Sequence, residues 1–60
     1  MRDHFERQLE AIRARIRRLA DEEAQHRALG REALADRVEN ELRKAEIEAG
    51  YLENILRSPA

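Results

Sequence analysis

The sequence predicts an all-α protein, an antiparallel αα-hairpin that dimerises into a four-helix bundle. Two apolar series predict the hairpin. One runs Phe5, Leu9, Ile12, Ile16, Leu19 and the other Val38, Leu42, Ala45, Ala49, Leu52, Leu56. Both alternate steps of three and four, the spacing of a coiled-coil seam. Laid antiparallel, Phe5 meets Leu56, Leu9 meets Leu52, Ile12 meets Ala49, Ile16 meets Ala45 and Leu19 meets Leu42, and the fold point falls at Gly30-Arg31. The two series do not share a heptad phase. One unbroken helix in a parallel dimer, with Gly30 as a tolerated interruption, is the competing architecture and needs an irregular insertion.

The elements follow in order. Asp3 with Glu6 three residues on resembles a capping box and starts the first helix, over about 3–29. Gly30 supplies the left-handed residue that closes it, with the turn at 30–31. The second helix spans about 31–57 and lacks a Ser, Thr, Asp or Asn cap. It ends before Ser58, which Pro59 pushes out of the helical region, leaving a tail over 58–60.

Composition agrees. Charged residues make up 42% and aromatics 3%, so the core is aliphatic and narrow. With no Thr, and only Val and Ile as β-branched residues, a strand-rich fold is disfavoured. The net charge of −1 argues against nonspecific binding to nucleic acid or to an anionic membrane. No apolar run exceeds Ala33-Leu34-Ala35, too short for a membrane span or a signal-peptide core, and cytoplasm is the default location. There is no cysteine, hence no disulfide. A single hairpin of this size has a small core, and oligomerisation is the natural way to enlarge it.

Ile47, Tyr51 and Ile55 form a second apolar strip on the second helix, away from the hairpin seam. Gly50 lies beside them in mid-helix, where it costs about 1 kcal/mol relative to Ala. Asn40, Arg43, Lys44 and Asn54 extend the same side. Ile47, Gly50, Tyr51, Asn54 and Ile55 are the candidate contact surface for a twin subunit or another protein. The large-small layers Ile12/Ala49 and Ile16/Ala45 suit close packing of two hairpins.

Catalysis finds little support, because Ser58 is the only Ser or Thr and no nucleophile-base arrangement is available. Glu23 and His26 continue the first seam where Leu or Ile is expected, opposite Val38 and Ala35. A Glu-x-x-His on one helix face is the ligand pair of carboxylate-bridged di-metal bundles. The stretch from Leu19 to Leu29 resembles the metal-binding helix of the ferritin-like and rubrerythrin-like families. That resemblance implies Glu23 and His26 as metal ligands; a symmetric dimer packed loop end to loop end would bring two such pairs together as a four-ligand site for Zn or Fe. The opposing expectation is a seam that frays toward solvent, with Glu23 and His26 bonding each other or Arg27.

Arg13, Arg15, Arg17 and Arg18 have no acidic neighbour between Glu10 and Asp21. Folding at Gly30 places them opposite Glu41, Glu46 and Glu48. They would be the basic face of a Rop-like RNA-binding dimer, although no aromatic stands beside them for base stacking. The leading expectation is a small helical protein-protein interaction module (an adaptor, regulator or small subunit) that works without a cofactor.

Overall fold

A computed structural model describes residues 2–58 and shows two helices, α1 (Arg2–Ala28) and α2 (Glu32–Arg57), packed side by side as an antiparallel hairpin. The continuous-helix alternative is not what forms. The hairpin is a slender rod, 47 × 14 × 11 Å. Among the described residues, no helix is long and apolar enough to cross a membrane.

Gly30 makes the reversal. Its φ is +74°, a conformation costly for any residue with a Cβ. The Arg31 N–H donates to the His26 carbonyl at 2.8 Å, and the Gly30 N–H to the Arg27 carbonyl at 3.1 Å. Together these bonds form a Schellman motif, which satisfies carbonyls that the helix end would otherwise leave open. Arg31 precedes α2 with no side-chain cap, as its sequence predicts. Acidic Glu32 in the first turn instead complements the positive helix end.

The start of α1 differs from the expected cap. Arg2 is already helical, so Asp3 lies inside the first turn and is not the N-cap. Glu6 approaches Arg2 at 3.9 Å in an exposed i,i+4 pair and closes no capping box. At the other end, Ser58 is extended (φ −64°, ψ 126°) and its N–H donates to the carbonyls of Asn54 and Ile55. Pro59 and Ala60 lie outside the described residues.

The seam covers the residues its spacing selects, five of the eleven buried and Phe5, Ile12, Ile16, Val38, Leu42 and Leu56 half-buried. Leu9, Leu19, Ala35, Ala45, Ala49 and Leu52 are buried. Leu9, Ala49 and Leu52 form the central cluster, with Phe5, Ile12, Ile16, Ile55 and Leu56 against it. The half-buried Ile12 and Ile16 of α1 pack against the cluster that holds the small Ala49 of α2, a large-small interdigitation.

Candidate functional site

Two features stand apart from the seam: an ionic cluster at the loop end and the outer face of α2. The ionic cluster centres on Arg27, one turn before the reversal. Its Nε donates to the Glu23 carboxylate at 3.0 Å, Nη1 to Glu32 at 3.0 Å, and Nη2 to Glu39 at 2.9 Å and Asp36 at 3.4 Å. Glu39 also accepts from Arg43 at 3.0 Å. One guanidinium thus ties α1 to three carboxylates of α2, using the planar fork that suits Arg to this role. The hydrogen bond to Glu23, together with attraction from Glu23, Glu32 and Asp36, raises the Arg27 pKa above its ordinary value against a smaller opposing effect of burial. The sign for a raised cation is that its stabilising contribution is complete below the unfolded-state pKa and is lost only in strongly alkaline solution.

Replacing Arg27 with Met leaves Glu23, Glu32, Asp36 and Glu39 crowded without their shared cation. The variant is expected to melt below the parent at low salt. The gap should narrow toward about 1 M salt, where the Debye length falls to about 3 Å. Thermal melts across a salt series check this; a gap independent of salt would mean that Arg27 acts through its hydrocarbon stem.

The Glu23/His26 pair is on the seam, both residues half-buried, as their spacing requires. The Glu23 carboxylate, however, is engaged by the Arg27 guanidinium at 3.0 Å. The Nδ1 of His26 is buried without a hydrogen-bond partner. Among the described residues, no three His, Asp or Glu side chains gather where they could hold a metal ion.

The arginines of α1 distribute differently from the expected pairing with Glu41, Glu46 and Glu48. Arg13 reaches Glu53 at 3.7 Å, and Arg15, Arg17 and Arg18 make no ion pair among the described residues. Cross-helix pairs need positions that flank the seam on both helices, which Arg13 and Glu53 do; Arg17 and Arg18 lie further round α1. Arg15 and Arg18 share a shallow depression with Glu22 and Glu41, and Arg13 and Arg17 share another with Glu6 and Glu10. Acidic side chains therefore interrupt what RNA would have to meet as a basic face.

On the outer face of α2, Ile47 is 74% exposed and Tyr51 67%. Asn54 is exposed beside them, and Tyr51, Asn54, Ile55 and Ser58 line a shallow groove. Ile55 is half-buried and leans on the hairpin core, so it bridges core and outer face. A Cβ built on Gly50 meets nothing within 4 Å, so nothing inside the hairpin requires glycine there. Leu29 and Leu34, 65% and 41% exposed, flank the turn as a second apolar spot. No family model, curated protein or solved structure matches this chain.

Proposed function

We propose that the protein is a small helical interaction module that acts by binding and not by catalysis, through self-association or by capture of a partner helix on the outer face of α2. Self-association would join two hairpins into a four-helix assembly. The observation that carries this reading is the exposed pair Ile47 and Tyr51 beside a glycine that the hairpin itself does not need. Tyrosine is enriched at protein interfaces, because its large ring contributes area at low entropic cost. By contrast, the outward positions Arg17, Arg18, Asp21 and Gln25 give α1 no comparable apolar strip.

Tyr51→Ala tests the reading. Tyr51 is largely outside the hairpin core, so helicity by circular dichroism should hardly change. Association measured by sedimentation should weaken roughly tenfold or more, corresponding to an interface anchor worth upwards of about 1.4 kcal/mol. Unaltered association, with self or with a captured helix, would remove the outer face of α2 from consideration.

A further inference from the structure

We propose that the outer face of α2 takes a second copy of this chain, with the two α2 helices antiparallel about a two-fold axis close to Gly50. The inference rests on the preceding reading and names the occupant of that surface. Asn40, Lys44, Ile47, Tyr51 and Asn54 are all exposed and follow one another at alternating steps of four and three, a second seam along α2 that exposed Ser58, the residue that caps the helix, continues by one more step of four. Set Ile47 against Tyr51 of the second copy, and the remaining layers are fixed. Lys44 meets Asn54, Asn40 meets Ser58, and the two Gly50 residues come together beside the axis. Every layer then joins apolar to apolar or polar to polar, and a surface that matches itself in this way is the property of an isologous two-fold contact.

The parallel alternative sets Lys44 against Lys44, like charges in the centre of the contact, and turns Gly50 toward Ile55. The antiparallel register also gives the glycine a purpose. Gly50 lowers helix propensity and has no close neighbour in the hairpin. Opposite its twin, it lets the two backbones approach. The register brings Arg43 near Arg57 of the second copy on one flank and Glu48 near its own twin on the other; Arg43 is already engaged by Glu39 at 3.0 Å, and all three residues are exposed at the solvent rim, where such repulsion is weak. From residue 40 to residue 54 the helical part of the seam is about 21 Å long at about 1.5 Å per residue. A contact of that length belongs to the small, concentration-dependent class of interfaces. The two loops then lie at opposite ends of the assembly, and each Glu23/His26 pair stays with its own hairpin.

The chain has no cysteine, which makes disulfide trapping clean. Lys44→Cys and Asn54→Cys are prepared as separate full-length proteins and equilibrated in a glutathione redox buffer, alone and mixed. Mass spectrometry identifies the products, and sedimentation gives the oligomeric state. The expected result is cross-linked heterodimer from the mixture and little from either variant alone, because like positions are then about 15 Å apart along the axis. Self-cross-linking of each single variant would establish parallel pairing and overturn the proposal. A dimer by sedimentation that forms no cross-link in any sample would also overturn it, by placing the contact elsewhere. A monomer at every concentration would overturn the second copy as occupant, while leaving the outer face of α2 open to a foreign helix.

Discussion

Leu52→Ala is expected to destabilise the hairpin by about 2–5 kcal/mol, the range for truncating a buried leucine. Leu52 is 6% exposed and forms the central cluster with Leu9 and Ala49, against which Phe5, Ile12, Ile16, Ile55 and Leu56 lie. The loss combines the apolar area returned to water with a cavity that rigid neighbouring turns cannot close. The effect is large relative to the whole because a chain this short has little stability to spare. The variant should therefore show a sharply reduced helical signal at room temperature, with no folded baseline in urea titration. Leu34→Ala is the control. Leu34 is 41% exposed beside the turn, and its loss should change stability by no more than about 0.5 kcal/mol. Equal effects from the two variants would mean that helix propensity, and not the seam, sustains the fold.

The hairpin was legible because one residue type at one spacing carries it. Alternating threes and fours select a face, and a glycine at the centre of the register admits the positive φ that reversal needs. The Arg27 cluster was not legible to the same degree. Glu23 lies four residues away on the same helix and is visible as a local pair. Glu32, Asp36 and Glu39 reach Arg27 only because the Schellman turn brings the first turns of α2 alongside the last turn of α1. A signal did exist in the register: Arg13 faces Glu53 and Arg27 faces Glu39, each shifted by the same fourteen residues. Between them Ala20 falls opposite Glu46, which is why Glu46, one of the three carboxylates expected to meet the arginines of α1, has no cation among the described residues. Ile55 illustrates a different blind spot. Each step of four residues advances about 40° around a helix, so a strip that begins outside at Ile47 has turned toward the seam by Ile55.

Replacing His26 with Leu separates the structural and metal-binding readings of the loop end, and it is expected to stabilise the protein by roughly 1–3 kcal/mol. His26 is half-buried on the seam opposite the fully buried Ala35, and its Nδ1 has no partner. A buried polar atom left unpaired costs on the order of 1–3 kcal/mol, and leucine removes that cost while extending the apolar seam by one layer. The Schellman bond accepted by the His26 carbonyl involves only the backbone, so it survives the change. The metal-binding reading predicts the opposite pattern. There, Zn or Fe would stabilise the parent by binding only the folded state, and the leucine variant would lose that response. Melting both proteins in chelator and again with each metal distinguishes the two. A higher Tm for the variant and no response to metal in either protein make His26 an imperfect core residue. A metal-dependent rise confined to the parent would make Glu23 and His26 the working centre of the molecule, with Arg27 as the cation that Glu23 must exchange for the metal.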